Sequence, residues 1–329
     1  MVGNIHIMGI LNLTPDSFYA GSRASASEAI PRMEALFAEG ADVVDLGACS
    51  TRPGSPQPTL EEEWTRLEPV LLEIAGHSPQ GDSGPSAKLI GAIRRPAVPG
   101  ILPDGKIVEG EKAAGVIRGQ SPRKFSGGGQ APRPSFPPIS IDTYRSEIVR
   151  RAYEIIGPFI VNDISGGQMD AKMLETVGRL GLPYVAMHMR GTPENMQSLT
   201  DYDDVVEAVK SYFIEFAVKA EQAGIARWIL DPGFGFSKTL EQNYELLERL
   251  DEVTSAFPER EMLVGLSRKS MVYKALGITP EEAMPATQIV QFKALEKGAR
   301  WLRVHDVAAA VQTARLYSTM YTSSPGAAK

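Results

Sequence analysis

The sequence has almost no cysteine. Cys49 is the only one in 329 residues, so the chain cannot form an internal disulfide or a cysteine cage around a metal ion. The sequence also lacks an apolar run long enough to cross a bilayer, and its N-terminus lacks the basic and apolar regions of a secretion signal. We therefore expect a cytoplasmic protein that acts without a membrane.

Positive charge is not in excess either. The formal net charge is -6, which disfavours nucleic acid and anionic lipid as partners but leaves small anionic substrates open. The sequence shows no Walker or dinucleotide-binding glycine loop in its strand-helix context, no G-x-S-x-G elbow and no cluster with zinc-ligand spacing. These absences disfavour nucleotide binding through such loops, catalysis by a serine triad and a transition-metal site.

The chain does contain short β-rich apolar runs that alternate with helical patterns. Eight candidate strands are present: IHIMGILNL, ADVVDLGA, PPISIDT, PFIVNDIS, PYVAMHM, RWILDPGFGF, EMLVGLSRK and RWLRVHDV. Gly40, Gly224 and Gly298 follow three of the helical patterns, where a C-terminal glycine is expected. Eightfold alternation of strand and helix predicts the α/β class and, within it, a (β/α)8 TIM barrel.

One segment interrupts this pattern. Residues 78–138 are rich in Gly, Pro, Ser and Arg without sustained periodicity, and we interpret them as a low-complexity insertion between the second helix and the third strand. This position is on the barrel face opposite the one that carries active sites. We expect a single domain over residues 1–329 with a passive, largely disordered and locally cationic loop inside it.

Polar residues stand at or just beyond the end of every predicted strand. Because active sites of such barrels lie at the carboxyl ends of the strands, these residues are candidates for the chemistry. Asp142, Asn162 and Asp231 suit the N–H and carbonyl edges of a neutral heterocycle. A cationic group suits a phosphorylated substrate or leaving group; it comprises Arg52, Arg268, Lys269, Arg303 and His305. Asn12 offers an oxygen of the kind that Mg²⁺ accepts beside substrate phosphates.

At these residues the sequence resembles the dihydropteroate synthases, the folate-pathway enzymes that sulfonamides inhibit. The matching segments, in the order of the family's motifs, are MGILNLTPDSF, STRPGS, ISIDT, VNDISGG, MHMRGTPENMQ, LDPGFGFSK, VGLSRKSM and LRVHDV. The resemblance implies a transferase in folate biosynthesis. Such an enzyme condenses 6-hydroxymethyl-7,8-dihydropterin diphosphate with 4-aminobenzoate, giving 7,8-dihydropteroate and diphosphate by SN1-like loss of diphosphate.

The same resemblance implies roles for individual residues. Asp142, Asn162, Met187, Asp231, Lys269 and Arg303 match pterin-binding positions. Asn12, Thr51, Arg52, Arg303 and His305 match diphosphate positions, and Asn12 also matches the Mg²⁺ position. Phe18, Pro53, Phe236 and Ser267 match the 4-aminobenzoate pocket. Lys269, Asp142, Arg303 and His305 are the implied catalytic residues, Mg²⁺ is the implied cofactor, and a homodimer is the implied assembly.

The match has departures and leaves alternatives. Ala48 and Cys49 stand where the family has glycine and an acidic residue, and we interpret Cys49 as a small buried thiol. We interpret His188 as a packing residue behind the site. A pterin-binding corrinoid methyltransferase barrel is one alternative, although it would have no diphosphate for the cations to bind. The other is a catalytically silent pterin-binding protein.

Overall fold

A computed structural model describes residues 4–13, 26–49, 57–76, 100–101, 107–108 and 138–322. Eight parallel strands alternate with helices, as the sequence predicts. The strands are β1 His6–Asn12, β2 Val43–Gly47, β3 Ile139–Asp142, β4 Ile160–Asp163, β5 Tyr184–Met187, β6 Trp228–Asp231, β7 Leu263–Val264 and β8 Trp301–Val304. Their order in the sheet is β6-β5-β4-β3-β2-β1-β8-β7. A parallel bridge between Leu230 and Met262 then joins β6 to the start of β7 and nearly closes the barrel.

Ten helices are described: α1 Ala26–Glu39, α2 Leu60–Gly76, α3 Ser146–Ile156, α4 Met173–Leu180, α5 Val205–Gln222, α6 Leu240–Glu248, α7 Leu250–Ala256, α8 Ser270–Leu276, α9 Met284–Glu296 and α10 Val307–Thr322. A 3-10 turn spans Met196–Ser198. The helices form because they have apolar faces to bury. In α3, for example, Ile148, Val149, Ala152 and Ile156 are buried. Gly40, Gly224 and Gly298 follow α1, α5 and α9 with positive φ angles of 107°, 75° and 102°, as expected of helix-ending glycines.

Most of the predicted insertion lies outside the described residues. Within it, the structure shows one antiparallel pair of two-residue strands, Gly100–Ile101 with Ile107–Val108. Among the described helices, none is long and apolar enough to cross a membrane.

The interior of the barrel is filled in layers. One layer, near the N-terminal end, is an apolar cluster of Met8, Val43, Ile160, Val185, Ile229, Leu263 and Trp301. Side chains alternate in a strand, so the residue two positions further along each strand also points inward. That next layer contains Asp45, Asp142, Asn162, Asp231 and Arg303. The strand geometry therefore places a layer of polar side chains directly above an apolar floor.

Candidate active site

Arg303 on β8 is the centre of the polar layer. Its Nε donates to Asp45 Oδ2 at 2.7 Å, and its Nη2 donates to Asp142 Oδ2 at 2.8 Å. Asn162 Nδ2 donates to the same Asp45 oxygen at 3.0 Å. Because these residues come from β2, β3, β4 and β8, the contacts run through the barrel interior. One guanidinium thus holds two buried carboxylates from different strands.

This arrangement is electrostatically unbalanced. Burial raises the pKa of Asp142 to about 7, and the attraction of Arg303 opposes this rise without cancelling it. Burial alone would lower the pKa of Arg303, but Asp45 and Asp142 raise it, so the guanidinium stays charged. Asp45 is fully buried, and its Oδ1 has no hydrogen-bond partner in the described part of the chain. The layer therefore carries acceptor capacity that a bound ligand or water can use.

A second group of polar side chains follows β6 and β7. Lys269 Nζ donates to the carbonyl oxygen of Phe234, and it lies 4.7 Å from the centre of the Phe236 ring. Asp231 accepts a bond from Gly233 N at 2.8 Å. Burial lowers the pKa of Lys269 to about 8, with Asp231 acting in the opposite direction, and burial raises the pKa of Asp231. An ammonium and a carboxylate thus share a desolvated pocket at the strand ends.

The loops after β7 and β8 meet at Ser267. Its Oγ accepts from the backbone N of His305 at 3.2 Å and lies 3.0 Å from His305 Nδ1. Burial and the nearby Arg303 lower the pKa of His305 to about 3, so its imidazole is neutral at physiological pH. His305 can therefore donate or accept a hydrogen bond, but it does not add positive charge to the site.

Arg268 takes no part in the cationic group to which its sequence position assigned it. Its Nε and Nη2 each donate to Asp306 at 2.8 Å, and its Nη1 donates to the carbonyls of Pro280 and Glu281 at 2.6 Å. The grouping was wrong because Asp306 and the carbonyls that hold this guanidinium are distant in sequence. Arg268 braces the loops that carry Ser267 and His305.

An apolar wall faces these polar groups. Met187, at the end of β5, packs in a cluster with Cys49, Tyr144, Ile164, Met189 and Met196, and Phe236 lies against it. The thiol of Cys49 is buried as expected, and burial raises its pKa to about 12. Unbranched methionines and an aromatic ring suit a flat heterocycle beside a benzene ring.

Asn12 ends β1 beside this pocket. A methyl group added at Gly47 would stand 3.1 Å from Asn12 Oδ1 and 3.9 Å from Asp142 Cβ, so the asparagine side chain lies over β2 near the carboxylate layer. The described residues contain no group of three His, Cys, Asp or Glu side chains that could hold a metal ion. A Mg²⁺ ion would fit here only if the substrate's phosphates and water supplied most of its ligands.

The structure therefore brings together Asn12, Asp142, Asn162, Met187, Asp231, Phe236, Ser267, Lys269, Arg303 and His305. The other predicted site residues, Phe18, Thr51, Arg52 and Pro53, lie outside the described residues. The sequence places Asp45 near a strand end but assigns it no role at the site, although one signal was available. It is a lone acidic residue inside an apolar strand, two positions after Val43, and therefore on the same face.

Known proteins resemble this chain in sequence and in structure. The family model described as Pterin binding enzyme matches residues 8–81 and 133–305. A curated dihydropteroate synthase of Escherichia coli K12 is 34% identical over 314 residues, covering 94% of this chain and 90% of that protein. The dihydropteroate synthase of Yersinia pestis, solved with a sulfonamide drug complex, superposes with a TM-score of 0.74 at 28% identity. The superposition covers 98% of this chain and 96% of the Yersinia pestis chain.

A further solved structure carries a ligand. The Xanthomonas albilineans dihydropteroate synthase with 4-aminobenzoic acid gives a TM-score of 0.72 at 28% identity over 98% of this chain and 95% of that one. The barrel, the strand-end site and these matches together place the chain among the pterin-binding TIM barrels. Within that class it belongs to the dihydropteroate synthase family, the transferases of folate synthesis that sulfonamides target.

Proposed function

We propose that this chain condenses 6-hydroxymethyl-7,8-dihydropterin diphosphate with 4-aminobenzoate to give 7,8-dihydropteroate and diphosphate. The observation that carries the proposal is the buried polar layer, in which Arg303 joins Asp45 and Asp142 next to the Asp231 and Lys269 pocket. Such a layer offers both hydrogen-bond acceptors and donors to the edges of a pterin. Phe236 and Met187 supply apolar surface beside it.

The pterin would lie in the polar layer. Asp142, Asn162 and Asp231 would bind its ring edges, Lys269 would donate to a ring acceptor, and Met187 would contact a ring face. The C–O bond to diphosphate breaks first, and its electron pair leaves with the diphosphate. The carboxylate of Asp142 then stabilises the positive charge that develops on the pterin, because a buried negative charge acts strongly in a low-dielectric site.

The leaving diphosphate would bind at the mouth of the barrel. Arg303 reaches this region from β8, His305 follows it in sequence, and Asn12 ends the neighbouring β1. Thr51 and Arg52 are assigned to the same group from the sequence alone. When bound, Mg²⁺ would neutralise charge on the departing phosphates, and Asn12 is the residue that would hold it. His305, as a neutral imidazole, would act as a hydrogen-bond donor to a phosphate oxygen.

The amine substrate would approach from the side of Ser267 and Phe236. The ring would contact Phe236, with Phe18 and Pro53 completing the pocket, and Ser267 would donate to the carboxylate. The amine nitrogen then forms the C–N bond with the exocyclic carbon and releases a proton to water. The related Xanthomonas protein with 4-aminobenzoic acid supports this choice of second substrate. Holding the amine nitrogen next to the exocyclic carbon can lower the activation barrier by about 7–11 kcal/mol.

We also propose a cytoplasmic homodimer. The exposed faces of α9 and α10 carry large apolar side chains, with Ile289 72% exposed, Leu316 58% and Met320 52%. Such a set on two helices that pack together is typical of an interaction surface. The cytoplasmic part of the proposal comes from the sequence, whose single cysteine, Cys49, is buried.

The test of the reaction is release of diphosphate from the purified chain. We expect turnover only when both substrates and Mg²⁺ are present, with 7,8-dihydropteroate formed in equal amount and activity abolished by EDTA. Binding of the pterin diphosphate without release would identify a silent pterin-binding protein. Transfer of a methyl group from methyltetrahydrofolate to a corrinoid would identify the methyltransferase alternative.

The pKa values predict a bell-shaped pH profile for kcat/KM. The rate should rise as Asp142 loses its proton near pH 7 and fall as Lys269 loses its proton near pH 8. The measurement is kcat/KM for the pterin diphosphate from about pH 5.5 to about pH 9.5. In Asp142→Asn the residual activity should lose the acid limb and keep the alkaline one. An unchanged acid limb in that variant would assign the lower pKa to another group.

A further inference from the structure

A buried cation that the proposed reaction does not use lies behind the site. Lys238 stands between the loop after β6 and the start of α6, and it is only 3% exposed. Its Nζ lies 2.9 Å from His188 Nδ1, 3.1 Å from the carbonyl oxygen of Gly233 and 3.2 Å from that of Phe236. An ammonium has no lone pair, so in its charged form Lys238 donates to all three atoms and His188 accepts through Nδ1.

The backbone that Lys238 holds is the same backbone that shapes the pocket. On the pocket side, Gly233 N donates to Asp231 at 2.8 Å, the carbonyl of Phe234 accepts from Lys269, and the Phe236 ring lies 4.7 Å from Lys269 Nζ. The 233–236 loop is therefore bonded on its front by the proposed substrate-binding groups and on its back by Lys238. A shift of its carbonyls would move Asp231, Lys269 and Phe236 together.

The end of the loop is fixed by other residues. Thr239 and Gln242 form a capping box that begins α6, and Asn243 accepts from Gly235 N at 2.7 Å while donating to the carbonyl of Lys238 at 3.3 Å. These bonds hold the backbone of Lys238 without its amine. The amine itself is therefore available to act on the carbonyls of Gly233 and Phe236, rather than being needed to start the helix.

Lys238 is also costly for the fold. Burial lowers the pKa of its amine to about 7; Asp231 opposes this shift, whereas Lys269 and Arg190 add to it. Removing the amine would end the desolvation of this charge, but it would leave three buried acceptors without their donor, which costs stability. Two of these bonds hold the first and last residues of the 233–236 loop, so the shape of the loop depends on the amine.

We propose that Lys238 is a positioning residue for the condensation, holding the 233–236 loop in the shape that aims Asp231 and Lys269 at the pterin and Phe236 at 4-aminobenzoate. The proposal rests on the substrate sites assigned above. Lys238 contacts neither substrate, and it acts through the carbonyls of Gly233 and Phe236 and through His188.

The test is Lys238→Met, which keeps the length of the side chain and removes the amine. We expect the Kd for the pterin diphosphate, measured without 4-aminobenzoate, and the KM for 4-aminobenzoate each to rise about tenfold. The melting temperature should fall, because the carbonyls of Gly233 and Phe236 and the Nδ1 atom of His188 lose their donor. The matched control is Arg260→Met, which removes a cation whose side chain is 9% exposed and lies over Trp228, at the opposite end of β6 from Asp231. This control should leave both constants unchanged.

The outcomes separate the two proposals. Turnover by the unaltered chain tests the reaction, whereas the variant's binding constants test the role of Lys238. Unchanged Kd and KM in Lys238→Met would overturn the positioning role, whatever the change in melting temperature. If Lys238→Met does not fold, Lys238→Gln replaces it, because its amide keeps two donors. The Kd and KM of Lys238→Gln should then rise by less than about tenfold. Kd and KM equal to those of the unaltered chain would also overturn the positioning role.

Discussion

Replacement of Lys269 by methionine should lower kcat/KM for the pterin diphosphate by about 10²- to 10³-fold. The ammonium is half-buried, donates to the Phe234 carbonyl and favours the charged form of Asp231 through space. Without it, only the Gly233 hydrogen bond, Arg303 and Lys238 oppose the effect of burial on Asp231, so the raised pKa of that carboxyl rises further. The variant therefore loses one donor to the pterin and alters one acceptor as well.

The measurement for Lys269→Met is steady-state kinetics of diphosphate release, together with pterin affinity by titration calorimetry. Lys274→Met is the matched control. Lys274 is exposed in α8, five residues after Lys269, and its replacement removes one positive charge in the same way. We expect Lys274→Met to be fully active. Activity in Lys269→Met within a few-fold of the unaltered chain would remove Lys269 from the proposed catalytic residues.

Replacement of Arg303 by methionine should have the largest effect on the whole molecule. We expect loss of detectable turnover and a fall of about 3–5 kcal/mol in the free energy of unfolding. The reason is that Asp45 and Asp142 lose their shared counter-charge while both remain buried. Arg300→Met is the control, since Arg300 is bonded only to backbone carbonyls of Leu295 and Ala299 among the contacts described for its side chain.

Two further measurements isolate the cause of that loss. Losing Arg303 raises the folded-state pKa of Asp142 further, so the folded form binds a proton that the unfolded chain has released. The pKa of Asp142 is already about 7 in the unaltered chain, so below that pH both forms gain stability alike. The deficit of Arg303→Met should therefore shrink as the pH falls from about 9 to about 7 and stay constant below it. Adding Asp45→Asn should restore part of the stability but none of the activity. A deficit that is independent of pH would point to lost packing instead.

The rule that barrel chemistry lies at carboxyl strand ends predicted much of this site from sequence. Asp142, Asn162, Asp231 and Arg303 each end or nearly end a strand, and parallel pairing with side-chain alternation brings all four to one inner layer. The helices were found equally directly, because a 3.6-residue apolar period such as that of α3 needs no distant information. Periodicity and strand ends are local properties, and these features follow from them.

The errors and omissions concern long-range partners. Arg268 looks like a phosphate-binding cation in sequence, and only its bond to Asp306, 38 residues later, shows otherwise. Lys238 looks like an ordinary charged residue before a helix, and its burial depends on β5 as well as β6. The pKa of His305 falls because Arg303 and the surrounding loops enclose it. Local patterns do not report which side chains meet across the barrel.

The contact between β6 and β7, here called the seam, is the weakest strand pairing of the barrel, and it lies at the site. Leu263–Val264 is the shortest of the eight strands, and its pairing with β6 is limited to the Leu230–Met262 bridge and the bond from Leu230 N to the Glu261 carbonyl at 3.0 Å. Asp231 stands on one side of this seam and Lys269 on the other. A pterin that bonds to both residues would add contacts between β6 and β7, where few backbone hydrogen bonds connect the two strands. Substrate binding should therefore slow amide hydrogen exchange along the seam, and the free barrel should open there first.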